Sequence, residues 1–259
     1  MPWRVNIDKE LYKDETRSPR ITYGTNGITN IRWESTEDSS VWDMTIDATG
    51  AVVTTNVPTG LVDAPTLLDS NLYSPTNTCT SASITPTAGA MLVVICGGSS
   101  TAGTLAFSST TLSNVGSWTG TTQVSDGNTK LRILWAKITG SAGTGTLTFT
   151  GFGSPGTTRA IMHVVEVPNG TAVAQEQTGT QTSATPSITL GSTPGANSLV
   201  IAAIAHNSAA TAPTANFTEL AEDNGNRGMQ SQYDQASATT TVSWTSSNVG
   251  HTMAAVEIT

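Results

Sequence analysis

Short apolar or alternating runs recur along most of the chain, separated by segments rich in Gly, Ser, Thr and Pro. MLVVIC (91–96) and LVIAAIA (199–205) have the length of strands rather than helices. Many short strands between frequent turns are typical of β-sandwiches and β-barrels. The pattern predicts strands at residues 67–72, 77–84, 91–97, 104–108, 121–125, 130–138, 144–150, 158–167, 172–177, 185–190, 198–206, 215–221, 229–235, 239–244 and 252–258. No segment predicts a long helix.

The first 57 residues have a different pattern. Residues 1–35 show no sustained period, whereas VWDMTI (41–46) alternates, DATG (47–50) is turn-forming and AVVTTNV (51–57) is rich in β-branched residues. This predicts an extended N-terminal arm that carries one β-hairpin. Because two strands alone are marginally stable in water, we expect the hairpin to pair with another surface.

Two segments of the body repeat one pattern. SASITPTAGAMLVVICGGSS (81–100) and TPSITLGSTPGANSLVIAAIAHNSA (185–209) share S-I-T, a Pro/Gly turn and an apolar strand. GTLTFTGFGSPGTTRAIMHVVEV (145–167) and TTVSWTSSNVGHTMAAVEI (240–258) are similar in the same way. The predicted fold class is therefore all-β: a two-sheet β-sandwich of jelly-roll or Greek-key type, internally duplicated, which follows the arm.

Charge is concentrated at the N-terminus. Residues 1–47 carry 6 of the 11 basic residues and 9 of the 19 acidic residues. The shift to an almost uncharged composition near residues 58–66 predicts two domains, an arm at 1–60 and a sandwich at 61–259.

Composition also argues against several classes of partner. The net charge is −8 and the pI about 4.7, so a nucleic-acid binder, which needs a basic face, is not expected. No apolar run has the length of a membrane span, and residues 1–15 lack the apolar core of a signal peptide, so neither a membrane partner nor export is expected. Cys79 and Cys96 are expected to be free, buried thiols; a hairpin closed between Ile84 and Met91 would instead place them opposite each other, within reach of a disulfide.

Signatures of catalysis and metal binding are weak. The chain has no G-x-S-x-G, H-E-x-x-H or Walker motif, so we expect no enzyme activity, no cofactor and no metal. His163, His206 and His251 lie in separate predicted strands and are expected to be core-margin residues with hydrogen-bond partners. Glu166 and Glu257 match in position in VVEV and AVEI; alternation predicts that both face solvent and make surface or inter-subunit hydrogen bonds.

The tryptophans fall into three groups. Trp135 and Trp244 lie within predicted strands and are expected in the core. Trp118 lies on the predicted loop SNVGSWTGTT and is the candidate glycan contact, because aromatic faces stack on sugars. The remaining three lie in the arm, which has little apolar mass, and are expected to anchor into a partner; they are Trp3, Trp33 and Trp42.

SSVWDMTIDATGAVVTTNV (39–57) resembles a short segment of tailed-bacteriophage virion proteins with the pattern W-x-I/M-x-V/I-D-x-x-G-A-x-x-T-T. The matching positions are Trp42, Met44, Ile46, Asp47, Gly50, Ala51, Thr54 and Thr55. The resemblance implies a virion surface protein, assembled in the bacterial cytoplasm. As a capsid decoration or cement protein it would dock its arm on the major capsid protein, form a homotrimer and stabilise the head. The candidate docking residues are Trp3, Arg4, Arg20, Trp33, Trp42, Met44 and Ile46.

Two other functions remain open. One is a tail- or fibre-associated protein that recognises host-surface glycans. The other is a glycan-active enzyme or a free carbohydrate-binding module, which the lack of catalytic signatures disfavours. The lack of stalk heptads favours decoration over a fibre.

Overall fold

The computed structural model describes residues 17–24, 27–35, 41–46, 52–57, 62–73, 77–99, 103–153, 159–207, 211–214, 216–223, 227–235 and 239–259. Throughout these ranges the regular elements are β-strands and the strand pairs are antiparallel. No helix in them has the length and apolarity to cross a membrane. The chain divides into two compact units, Met1–Leu61 and Val62–Thr259.

The N-terminal unit contains a four-stranded sheet of consecutive strands. Its strands are β1 (Arg17–Gly24), β2 (Gly27–Ser35), β3 (Val41–Ile46) and β4 (Val52–Val57). The predicted hairpin is confirmed, since β3 pairs with β4 from Val41 opposite Val57 to Ile46 opposite Val52. The expectation that residues 1–35 hold no regular element was wrong, because β1 and β2 extend the hairpin. A register shift between Thr22 and Tyr23 interrupts the alternation there.

The body is built from two successive sets of strands. The first set is β5 (Thr66–Tyr73), β6 (Thr78–Thr80), β7 (Met91–Ser99), β8 (Ala106–Thr110), β9 (Thr119–Gly120), β10 (Val124–Ser125), β11 (Thr129–Lys137), β12 (Leu147–Thr150) and β13 (Ala160–Val167). The second set is β14 (Val173–Ser183), β15 (Ser187–Thr189), β16 (Leu199–His206), β17 (Ala212–Pro213), β18 (Thr218–Asp223), β19 (Gly228–Gln235), β20 (Thr241–Thr245) and β21 (Val249–Ile258).

Each set forms one large and one small sheet. The large sheets have the orders β5-β13-β7-β11-β10 and β14-β21-β16-β19-β18, and the small sheets β6-β12-β8 and β15-β20-β17. The two strand orders therefore agree position by position, except that β9 adds to β11 in the first set. The all-β, antiparallel, sandwich-type prediction is confirmed, although the body has four sheets where the sequence predicted two.

Three apolar cores lie between the four sheets. One is shared by both large sheets and joins residues such as Ile95 and Ile133 to Ile201 and Val256. A second lies between the large and small sheets of the first set, around Phe149, and a third occupies the same place in the second set, around Trp244. The layers thus run small, large, large, small. The large sheets are covered on both faces, which explains why their central strands are continuously apolar.

The large sheets face each other with their matching strands exchanged. β11 lies against β21 while β19 lies against β13, and the edge strands β10 and β5 lie against β14 and β18. Each contact has its counterpart with the two sets interchanged, as in the isologous interface of a two-fold dimer. The central core therefore joins two similar sandwiches in one chain.

Candidate functional site

The candidate docking residues that the structure describes lie on the N-terminal sheet. Trp33 is the register partner of Trp42, and Met44 and Ile46 follow Trp42 at alternate positions of β3. These four residues therefore share one face by register. Arg20, opposite Arg32, lies at register positions of the other face. Two candidates, Trp3 and Arg4, lie outside the described residues.

Glu166 and Glu257 are buried, which corrects the prediction that they face solvent. They are 6% and 5% exposed, because the face they share with Met162 and Met253 is covered by the small sheets. Glu166 accepts hydrogen bonds from the N–H and Oγ1 of Thr87 at 2.7 and 2.8 Å. Glu257 accepts from the N–H of Gly195 at 2.7 Å. Each carboxylate thus fixes the turn that leads into β7 or β16.

The two carboxylates are not close enough to act as a pair, and each has a structural set of partners. Glu257 also accepts from Nε2 of Gln175 at 2.6 Å. Burial by itself would raise the pKa of Glu257, but hydrogen bonds from Ser198, Gly195 and Gln175 outweigh burial and place that pKa below its ordinary value. Both side chains stabilise turns, and their geometry gives neither a nucleophile nor a proton donor to a substrate.

The three histidines are fully buried rather than at the core margin. His163 lies between the large sheets, with Nδ1 at 2.8 Å from Oγ of Ser231, and burial lowers its pKa to about 3. His206 and His251 are register partners on β16 and β21, and Nε2 of His251 lies 2.8 Å from Oγ of Ser246. Among the described residues, no three His, Cys, Asp or Glu side chains are grouped to hold a metal ion.

Cys79 and Cys96 are free, buried thiols. The hairpin that would have placed them opposite each other does not form, because Ile84 bridges to Gly145 and β6 and β7 belong to different sheets. Burial raises the pKa of Cys79 to about 12 and that of Cys96 well above its ordinary value. Both thiols are therefore protonated and unreactive at neutral pH.

Trp118 lies in an aromatic cluster at an open side of the first sandwich. Its ring stacks on Phe107 with centroids 5.2 Å apart, and Phe149 meets it edge-on at 5.1 Å. Trp118 and Phe107 are half-buried, whereas Phe149 is fully buried. As expected, Trp244 is buried in a core, and Trp135 packs at the margin of the central core.

A groove of about 640 Å³ lies beside this cluster. Its lining comprises Ala106, Phe107, Gly116, Ser117, Trp118, Thr119, Gly120, Arg132 and Leu134. The loop before β9 is held against β11 by backbone hydrogen bonds from Gly116 to Lys137 and from Thr121 to Ile133. A Cβ at Gly120 would lie 2.9 Å from the carbonyl oxygen of Ile133, so a glycine is needed for this close approach.

Arg132 supplies the cation of the groove. Its Nε donates to the carbonyl of Thr121 at 2.8 Å and its Nη1 to the carbonyl of Leu105 at 2.7 Å. The sequence analysis identified Trp118 but missed Arg132 and Phe107. Within KLRILWAKI, alternation gives no sign that Arg132 lies at an open end of the sandwich while Lys130 is 1% exposed. Only the sheet topology brings β8, the loop and β11 together.

Lys130 is a structural cation of the same strand. Its Nζ donates to the carbonyls of Gly151 at 2.5 Å and Gly103 at 3.3 Å, and burial lowers its pKa. This ammonium group ties two loops to the end of the first sandwich and is not part of the groove. The groove of Trp118 and Arg132 is thus the candidate functional site of the body.

Comparison with known proteins gives no match: no protein-family model, no curated protein and no solved structure is similar to this chain.

Proposed function

We propose that this chain is a virion structural protein of a tailed bacteriophage. As a capsid decoration or cement protein, it would dock through residues 1–60 on the major capsid protein and display residues 61–259 on the head surface. The observation that carries the proposal is the register of the N-terminal sheet, which groups Trp33, Trp42, Met44 and Ile46 on one face. A sheet face rich in large apolar residues suits a protein interface, where aromatic anchors contribute most of the binding energy.

Self-association as a homotrimer is part of the same proposal. The described N-terminal sheet has edge strands β1 and β4, and exposed edges are stabilised by pairing with further strands. Threefold positions of an icosahedral capsid would suit three such subunits, each projecting one body. Assembly would occur in the cytoplasm of the host bacterium.

We also propose that the body is an internal duplication of one Greek-key or jelly-roll type sandwich. The equal strand orders of the two sets support this origin. So do Glu166 and Glu257, which bind the equivalent N–H groups of Thr87 and Gly195 in equivalent turns. A duplicated, rigid body whose buried acids and bases hold backbone groups suits a displayed structural part better than an enzyme.

A receptor-binding protein of the tail or fibre, which recognises host-surface glycans, is the second candidate. The groove between Trp118 and Arg132 favours it, because half-buried aromatic rings beside polar donors are suited to sugars. Location on the particle separates the candidates. Quantitative mass spectrometry and imaging of purified virions should show many copies on the head for decoration and a few copies at the tail for host binding.

Docking can be tested with particles that lack the protein. Full-length chain carrying Trp42→Ser should bind such particles at least about 2 kcal/mol more weakly than wild type, since a buried aromatic anchor is lost. Thr45→Ser is the matched control, because Thr45 lies at a register position of the opposite face and should bind normally. Full-strength binding by a chain without residues 1–57 would move the docking surface to the body and defeat the proposal.

A further inference from the structure

Arg132 is a fixed cation without a counter-ion. Its side chain bonds to the backbone carbonyls of Thr121 and Leu105, and within the described part of the chain no carboxylate forms an ion pair with it. The protein as a whole carries a net charge of −8. A guanidinium held at a groove wall in an acidic protein is therefore a local site for an anion.

The remaining donors of Arg132 set the shape of that anion. A guanidinium has five N–H donors in one plane, and the two backbone bonds use one on Nε and one on Nη1. Nη2 makes no hydrogen bond in the structure, so its donors and the second of Nη1 are free. Such a planar set matches the two oxygens of a carboxylate, and burial of the stem fixes its direction in advance.

The aromatic wall selects a flat, partly apolar ligand. Phe107 and Trp118 are half-buried at the groove, and their rings are fixed by mutual stacking and by Phe149. The exposed hydroxyl residues Ser117 and Thr119 flank them. An aromatic face next to hydroxyl groups and a cation is suited to a sugar ring, whose C–H face stacks while its oxygens bond.

The second set of strands closes the equivalent position. Counting along the register from Glu166 and Glu257, Gln230 on β19 corresponds to Arg132 on β11. Gln230 is fully buried and accepts a hydrogen bond from Nε1 of Trp244 at 2.6 Å. A neutral side chain with an internal partner therefore occupies the place that a cation with free donors occupies in the first set. The open groove is specific to the first sandwich.

We propose that the groove binds a saccharide that carries a carboxylate, such as a hexuronate or a sialic acid. The carboxylate bonds to the free edge of Arg132, and the sugar ring stacks against Trp118 and Phe107. This inference names a ligand class for the glycan-binding candidate and rests on the same groove. It does not depend on whether the protein lies on the head or the tail, so its failure and a failure of capsid docking are distinguishable.

The test compares acidic oligosaccharides with their neutral methyl esters on the full-length protein. Trigalacturonate, triglucuronate and sialyllactose are titrated by saturation-transfer NMR and tryptophan fluorescence, each beside its methyl ester, which keeps the shape and removes the charge. At least one acid should bind with a dissociation constant below about 1 mM, and at least about tenfold more tightly than its ester. This comparison requires no variant and therefore does not depend on the folding of one.

Variants then identify the residues. Arg132→Gln, which introduces the residue of the second set, should remove the preference for acid over ester, whereas Arg227→Gln removes the same charge from the second sandwich and should leave the preference intact. Trp118→Leu should weaken acid and ester alike. Equal affinity for acids and esters, binding that is as tight for inorganic sulfate, or no binding of any of the three acids would overturn the proposal.

Discussion

Buried polar residues of the body bond mainly to nearby backbone and side-chain groups. Glu166 and Lys130 bind backbone N–H and carbonyl groups of turns, and His163 contacts a serine of the opposite sheet. Each interaction satisfies a group that would cost about 1–3 kcal/mol if left unpaired. These residues stand out in the sequence as candidates for chemistry, but their partners give them structural roles.

His163 makes the stability of the body depend on pH. Because burial lowers its pKa from 6.5 to about 3, the folded imidazole stays neutral where the unfolded one is protonated. The unfolded state then binds more protons, so the free energy of unfolding should fall as pH drops below 6.5. The slope should be about 1.4 kcal/mol per pH unit for this group and continue towards pH 3. Burial, together with nearby His251, also lowers the pKa of His206, to about 4, which adds to the effect.

Substitution isolates the contribution of His163. Urea unfolding of His163→Gln at pH 7, 6 and 5 should show a slope reduced by about one proton relative to wild type. Ser231→Ala is the control, since it removes the hydrogen-bond partner and lowers stability but leaves the titrating ring in place. Equal slopes for wild type and His163→Gln would contradict the assignment.

At the scale of elements, close strand approaches depend on particular glycines. Gly151 and Gly127 share a φ of +91°, but a Cβ at Gly151 would lie 2.0 Å from the carbonyl oxygen of Thr104, whereas one at Gly127 would meet nothing within 4 Å. Gly127→Ala should therefore cost about 1–2 kcal/mol, the strain of a left-handed residue. Gly151→Ala should cost several kcal/mol more, because the Gly103–Leu105 segment must also move.

Unfolding in urea of both variants measures this difference directly. The pair is matched in backbone conformation and in the change made, so the difference reports the steric contact alone. Similar free energies of unfolding for the two variants would show that the segment around Thr104 moves without cost, and that Gly151 is not required for its packing.

Most strands of the body could be predicted from the sequence, whereas their arrangement could not. Apolar runs such as 91–97 and 198–206 mark β7 and β16 within two residues. The same runs are equally consistent with one buried sandwich and with two sandwiches stacked face to face, because period and length do not reveal what covers each face. β1 and β2 were missed for a local reason, since the register shift after Thr22 breaks the alternation.

The candidate site was predictable only in part. Trp118 was identified because a tryptophan between Gly and Ser residues is unusual for a core position. Arg132 was not, because its role depends on the open donors left after it bonds to the carbonyls of Thr121 and Leu105. These contacts join residues distant in sequence and follow from sheet topology rather than from any local motif.

At the scale of the whole molecule, the central core makes the two sandwiches interdependent. The large sheet of the first set contributes apolar residues to it, including Val93, Ile95, Leu131, Ile133 and Ile161, all fully buried. Without the second set these side chains would form a contiguous apolar face, larger than soluble proteins usually expose. Residues 62–170 alone should therefore aggregate or remain partly unfolded, although they contain one complete small sheet and one complete large sheet.

The same reasoning predicts that both sandwiches of the full-length protein unfold together. Hydrogen exchange followed by mass spectrometry across a urea series should show that amides of β7 and of β16 lose protection at the same urea concentration, because loss of either large sheet exposes the other. A core substitution in one set, such as Ile201→Ala, should lower the midpoint of both by the same amount, since a cavity between the sheets weakens their common interface. If β16 lost protection at lower urea while β7 stayed protected, the first sandwich would be stable by itself, and the shared core would be an interface between independent domains rather than the centre of one folding unit.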